Sequence, residues 1–164
     1  MYENTIQTTY KGTKYRSRTE ARWAVLFDYC GVGFQYEPEG FNLPSGRYVP
    51  DFWTDMGAYF EVKPEECEAG PGHYTRERFV AEDLASLKGR VVIMACGSPN
   101  EAMDFLWFEP NAIMPDCKPI TDYFTSWQIR YAKSFRFDWQ GGQFEPIGGA
   151  AWRVLQDVRA KMKK

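Results

Sequence analysis

Apolar residues recur at helical spacing in two stretches of the chain and at strand spacing in several others. Ser17 to Cys30 reads as a first helix, with Ala21, Trp23, Ala24, Val25 and Phe27 forming a broad apolar face. Ser17 is a good N-cap, and Glu20 three residues on completes a capping box. Gly31 stops the helix, as a residue tolerant of positive φ does. Upstream, Tyr10 to Tyr15 is a short polar–aromatic segment that fits a strand or a turn. Phe34 to Glu37 is strand-like; Pro44, Ser45 and Gly46 mark a turn; Tyr48 to Thr54 is the next strand. Met56–Gly57 fits a tight turn, and Ala58 to Lys63 a further strand. Pro64 to Gly72 is acidic and rich in Gly and Pro, hence a loop. Thr75 to Leu87 returns to helical spacing at Phe79, Val80, Leu84 and Leu87, and Gly89 closes it. Arg90 to Cys96 is a nearly continuous apolar run, the pattern of a strand covered on both faces in mid-sheet.

The order α-β-β-β-α-β predicts an α/β (α+β) fold. Beyond Ser98 the pattern weakens. Phe105 to Phe108 and Ser134 to Trp139 read as strands, Asn111 to Thr121 as irregular chain, and Ala150 onward as a helix after Gly148–Gly149. No repeat and no second-domain boundary stands out. The expectation is one domain over residues 1–164, with a core at about 10–97 and a C-terminal strand/helix extension at 98–164.

Composition narrows the possibilities. A chain of 164 residues, 44% apolar and 26% charged, has enough material for a real core. The aromatic share of 17% is high and fits a filled core, stacking surfaces or a subunit interface alike. A net charge of -2 leaves any attraction to phosphate to local patches. The N-terminus has no apolar signal core and no run of apolar residues reaches membrane-spanning length, so no membrane is expected and the cytoplasm is. Cys30, Cys67, Cys96 and Cys117 are scattered without a CxxC pair; they are expected as reduced, packed thiols rather than zinc ligands. His73, in a Gly/Pro-rich stretch, reads as an exposed loop residue.

Candidate chemistry centres on the strand Ala58 to Lys63. Side chains alternate along a strand, so Ala58, Phe60 and Val62 face the core while Tyr59, Glu61 and Lys63 share the other face. A carboxylate at the strand end can hold a hard divalent cation. An ammonium beside it can orient or deprotonate water, or stabilise charge on a phosphate. Counting back from the turn, Asp51 falls close to Glu61; two adjacent carboxylates repel unless a cation or proton intervenes. Glu20 adds a third carboxylate if its helix aims its N-terminus at the same place, where the helix dipole would favour phosphate as well.

Plainer readings exist for each. Glu20 is a capping-box residue, Asp51 a strand-end residue, and Glu61 with Lys63 a solvated strand face worth at most about 1 kcal/mol. Glu37 and Glu39 read as loop residues near the site, and Glu65, Glu66 and Glu68 as a solvated loop. Lys11, Lys14, Arg16, Arg18 and Arg22 cluster around the start of the first helix, where a DNA backbone would pass to reach Glu20. Arg76 and Arg78 extend that patch. Arg153, Arg159, Lys161, Lys163 and Lys164 form a second basic cluster at the C-terminus.

The order Glu20, then Pro50-Asp51, then Glu61-Val62-Lys63 resembles the PD-(D/E)XK nuclease superfamily. The variant with an early helical glutamate is that of Holliday junction resolvases and of some transposase and phage endonucleases. The text SRTEARWAVLFDYCGVGFQYEPEGF, followed by YVPDFW and YFEVKP, is similar to phage-borne members associated with junction resolution, over about residues 10 to 97. The resemblance implies a restriction-endonuclease-like core, a central mixed β-sheet flanked by helices that agrees with the element order above, and a Mg²⁺- or Mn²⁺-dependent endodeoxyribonuclease of crossover-junction type. It implies Asp51, Glu61 and the Val62 carbonyl as metal ligands, Lys63 as the residue positioning the attacking water, and Glu20 as completing the metal shell. It implies branched DNA as partner, a homodimer that cuts both strands symmetrically, and, for a phage protein, the host cytoplasm. A sequence-specific or transposase-type endonuclease of the same fold is one alternative, and a non-catalytic DNA-binding module another.

Overall fold

The computed structural model describes residues 6–63, 75–99, 104–112, 115–137 and 144–145. It is a mixed α+β protein with a central mixed sheet. The chain, expected as one domain, divides into two compact units interleaved in sequence: Met1–Gly31, Ser98–Glu101 and Thr121–Lys164 in the first, Val32–Gly97 and Ala102–Ile120 in the second.

In the first unit, a hairpin of β1 (Thr8–Tyr10) and β2 (Thr13–Tyr15) turns at Lys11 and Gly12, both at positive φ. Helix α1 (Arg18–Tyr29) starts at the Ser17 cap, whose side chain accepts from the Glu20 amide, and ends at Cys30 before Gly31 at φ 71°. Its Trp23, Ala24, Val25, Leu26 and Phe27 are fully buried. Helix α3 (Ser126–Ser134), capped by a Thr125–Gln128 box, packs on α1, with Tyr29 stacked on Tyr131 at 4.0 Å. Sequence patterning missed α3: its buried positions are few, chiefly Ile129 and Ala132, so its apolar stripe is too thin to register. The strand expected at Ser134 to Trp139 is reduced to β11 (Arg136–Phe137), which pairs with β12 (Phe144–Glu145).

The second unit is built on a six-stranded sheet. Its order is β10 (Asp116–Pro119), β9 (Asp104–Phe108), β8 (Val91–Cys96), β7 (Ala58–Lys63), β6 (Phe52–Thr54), β3 (Phe34–Tyr36). Only β7 and β8 run parallel; the chain crosses between them through α2 (Thr75–Lys88). The segment expected as irregular, Asn111 to Thr121, supplies β10, an exposed edge strand whose lack of apolar alternation hid it. A separate hairpin, β4 (Phe41–Leu43) and β5 (Gly46–Tyr48), turns at Pro44 and Ser45. The single strand expected from Tyr48 to Thr54 is therefore two. The ladder breaks at Val49–Pro50–Asp51, where Pro50 has no amide to donate.

Both faces of β7 are buried. On one, Tyr59 joins Val92, Met94 and Phe108 beneath Val80, Ala81, Leu84 and Ala85 of α2. On the other, Phe52, Phe60 and Phe105 form an edge-to-face series with centroids 5.6 to 6.4 Å apart. The plainer reading of Glu61 with Lys63 as a solvated strand face does not hold: Glu61 is buried, and α2, on the β7–β8 crossover, covers Tyr59 on the same face. Phe79 and Leu87, expected on the apolar face of α2, are 57% and 58% exposed. The sheet meets the Val80–Ala81–Leu84–Ala85 side, whose alanines permit close approach, and Phe79 projects nearly opposite.

Cys30 and Cys117 are not in disulfides, but Cys96 is disulfide-bonded, which corrects the expectation of four reduced cysteines. Cys67, His73, the acidic loop with Glu65, Glu66 and Glu68, the C-terminal helix and its basic cluster lie outside the described residues. Among the described residues no helix is long and apolar enough to cross a membrane.

Candidate active site

The antiparallel register of β6 on β7 sets Phe52 opposite Phe60, so the preceding residue, Asp51, stands opposite Glu61. Three hydrogen bonds fix it there. Its carbonyl accepts from the Glu37 amide at 2.8 Å, its carboxylate Oδ2 from the Val62 amide at 2.8 Å, and its own amide donates to Glu61 Oε2 at 3.3 Å. Glu37 serves Asp51 through its backbone, at φ 48°. Asp51 is 1% exposed and Glu61 6%.

Glu61 is held at both oxygens. Oε1 faces the Lys63 ammonium at 3.0 Å. Oε2 accepts a close hydrogen bond from the Tyr48 hydroxyl as well as the Asp51 amide. Lys63 ends β7 opposite Cys96, and its carbonyl accepts from the Gly97 amide at 2.6 Å, which extends the parallel ladder past the ammonium.

The electrostatics follow from burial. Two carboxylates share a site shielded from water, with the Lys63 ammonium against Glu61 and its charge felt by Asp51 as well. Burial works against the charge of Lys63, but Glu61, and after it Asp51 and Glu77 of α2, outweigh burial and hold its pKa above the usual lysine value. Lys63 is therefore a cation at neutral pH and a donor rather than a base. Buried carboxylates are either paired or coordinate a metal ion. Hard carboxylate oxygens and a backbone carbonyl suit Mg²⁺ or Mn²⁺. Among the described residues no cluster of three or more His, Cys, Asp or Glu gathers as a ready-made metal site. A cation here would take Asp51 and Glu61 and fill its remaining positions with water or substrate oxygens, as Mg²⁺ commonly does.

Comparison with family models, with curated proteins and with solved structures finds no match to this chain. The assignment of a function therefore rests on these residues and their geometry.

The other predicted residues divide. Glu20 lies in the first turn of α1, 8% exposed, with Oε1 3.9 Å from Arg16 Nε. It belongs to the first unit, whereas Asp51, Glu61 and Lys63 belong to the second. Of the basic residues expected to meet DNA, Arg22 donates from Nη1 to the carbonyls of Ala132, Lys133 and Phe135. These are the last carbonyls of α3, and its guanidinium also lies over the Phe137 ring. Lys11 pairs with Asp28 at 2.5 Å. Lys14 and Arg16 are exposed, and Arg18 is half-buried.

Tyr48 is the residue that sequence reasoning missed. The signal was weak: a strand tyrosine whose hydroxyl needs a partner, two residues ahead of Pro50-Asp51. Its partner, Glu61, is reached only because the chain breaks at Pro50 and β5 leaves the sheet for the hairpin with β4.

Proposed function

We propose that this chain is a metal-dependent endodeoxyribonuclease, with four-way DNA junctions as its substrate and a homodimer as its working form. The observation that carries the reading is the burial of the Asp51 and Glu61 carboxylates side by side with the Lys63 ammonium 3.0 Å from one of them. That charge arrangement supports the resemblance of Pro50-Asp51 and Glu61-Val62-Lys63 to the PD-(D/E)XK nucleases.

A bound Mg²⁺ or Mn²⁺ would supply Lewis acidity toward a phosphate oxygen and a more acidic water. Asp51 and Glu61 would hold it, with the Val62 carbonyl as a further ligand. Lys63, kept protonated by its carboxylate neighbours, hydrogen-bonds the attacking water or a phosphate oxygen and offsets charge as it builds. Water adds to phosphorus as the bond to the 3′ oxygen breaks, leaving a 5′-phosphate and a 3′-hydroxyl. Symmetric cutting of a junction calls for two such sites related by a two-fold axis.

The test is cleavage mapping with Mg²⁺ on matched four-way, flap, single-stranded and duplex DNA. Paired nicks flanking the branch point, lost in Lys63→Ala and Asp51→Asn, are the expected result. Equal digestion of all four substrates removes the junction specificity and leaves a general nuclease. Fixed cuts in plain duplex point to a sequence-specific or transposition-linked enzyme. Binding without cleavage, indifferent to Lys63→Ala, reduces the chain to a DNA-binding module.

A further inference from the structure

Tyr48 lies outside the carboxylate–lysine set that the nuclease reading uses, yet its hydroxyl reaches into that set. The hairpin that carries it is fastened at both ends. The Ser45 amide at its tip donates to Asp83 Oδ2 of α2 at 3.1 Å, and Phe41, paired with Tyr48, meets Tyr59 edge-to-face at 5.6 Å. The Tyr48 ring is half-buried against the core under α2. From this fixed base the hydroxyl donates to Glu61 Oε2, and three residues later the Asp51 amide donates to the same oxygen.

A carboxylate oxygen offers two lone pairs. On Oε2 both are taken, by Tyr48 and by the Asp51 amide. Among the described residues Oε1 carries only Lys63 Nζ. We propose that Tyr48 is a positioning residue that confines Glu61 to one-oxygen ligation through Oε1 and so sets the cation preference of the site. Small octahedral cations such as Mg²⁺ and Mn²⁺ take carboxylates through single oxygens and keep their waters. Ca²⁺ seeks more oxygens and readily accepts a carboxylate through both. The phenol thereby disfavours Ca²⁺ by occupying the second oxygen, and it aligns Glu61 for the smaller ions before they arrive. This inference rests on the nuclease reading for its cation and goes beyond it in assigning selectivity to one hydroxyl.

Tyr48→Phe keeps the ring and its packing and removes only the hydroxyl. Calorimetric titration without DNA measures Mn²⁺ and Ca²⁺ affinity for the wild-type protein and the variant. In the variant Mn²⁺ affinity is expected to fall by about 10–100-fold, the usual effect of losing a partner that orients a metal ligand. Ca²⁺ affinity is expected to hold or rise, since Oε2 is then open to it. On a four-way junction the variant is expected to lose kcat at limiting Mn²⁺, to keep the KM for DNA, and to recover kcat in excess Mn²⁺. An unchanged Mn²⁺-to-Ca²⁺ preference, with or without a lower Tm, makes the tyrosine merely structural and overturns the inference. Failure of the wild-type protein to bind either cation overturns the metal-dependent reading itself. The two failures are thus told apart by the wild-type titration.

Discussion

Replacing Lys63 with methionine keeps most of the side-chain volume, deletes the ammonium, and removes from the buried Glu61 carboxylate its partner in the ion pair. The lost pair is a close one: 3.0 Å between Nζ and Oε1, with the side chains 16% and 8% exposed. At an effective dielectric constant of about 20 the gross attraction at that distance is roughly 5–6 kcal/mol. Desolvation offsets much of it in the intact protein, but removing one partner strands the other. Such strandings cost about 3–5 kcal/mol. For a chain of this length that corresponds to a fall in Tm of roughly 6–20 °C. Scanning calorimetry or circular dichroism of metal-free Lys63→Met against wild type reads it directly. Adding Mn²⁺ should then stabilise the variant more than the wild type, because the carboxylates it meets carry one more uncompensated charge. A cation at a hundred times its Kd returns about 2.7 kcal/mol. A metal-free loss below about 1 kcal/mol would mean that Lys63 and Glu61 behave as a solvated surface pair. A variant that Mn²⁺ does not stabilise would mean that no cation belongs at Asp51 and Glu61. Either result refutes the reasoning from burial.

Three further outcomes follow from particular contacts. Arg22→Ala should lower stability by about 2–3 kcal/mol, since one guanidinium serves three carbonyls at the end of α3; a pure DNA contact would leave Tm unchanged and instead reduce the salt dependence of binding. Ser17→Ala should lower stability by about 1 kcal/mol, since its hydroxyl accepts from the Glu20 amide at the start of α1; an unchanged Tm would mean that this cap contributes nothing to the helix. Lys63 has a folded pKa raised above its unfolded value, so its stabilisation is complete below about pH 10.5 and is lost as pH rises through the higher folded value; urea melts across that alkaline range should show a loss that Lys63→Met lacks.

What the sequence made legible was whatever local rules control. Ser17, Gly31 and the apolar face between them placed α1 to within a residue, and the Met56–Gly57 turn fixed the β6–β7 register and with it the apposition of Asp51 and Glu61. What stayed hidden depended on partners far along the chain. Whether this face of β7 meets water or protein is decided by α2 folding back over Tyr59 and by the hairpin that brings Tyr48 to Glu61, and nothing within Ala58 to Lys63 records it. Arg22 reads as one more cation in a basic run until α3 arrives to present its carbonyls, more than a hundred residues later in the chain. α3 itself evaded notice because two small or single apolar positions do not make a stripe.

A core assembled for stability alone has little use for Asp51 and Glu61 in contact. Apolar residues of like volume at such positions commonly leave a protein as stable or more so, because no attraction fully repays the desolvation of two like charges. Lys63 compensates one carboxylate, and amides at Asp51 and Val62 with the Tyr48 phenol distribute what remains. Every one of those partners is a hydrogen donor. Two carboxylates buried side by side are a poor way to fill a core and, on the proposed reading, a good way to hold a small divalent cation. The low net charge of the chain does not bear against this, since chemistry at a phosphate needs a field across a few ångströms, whereas affinity for DNA can be supplied by a patch elsewhere.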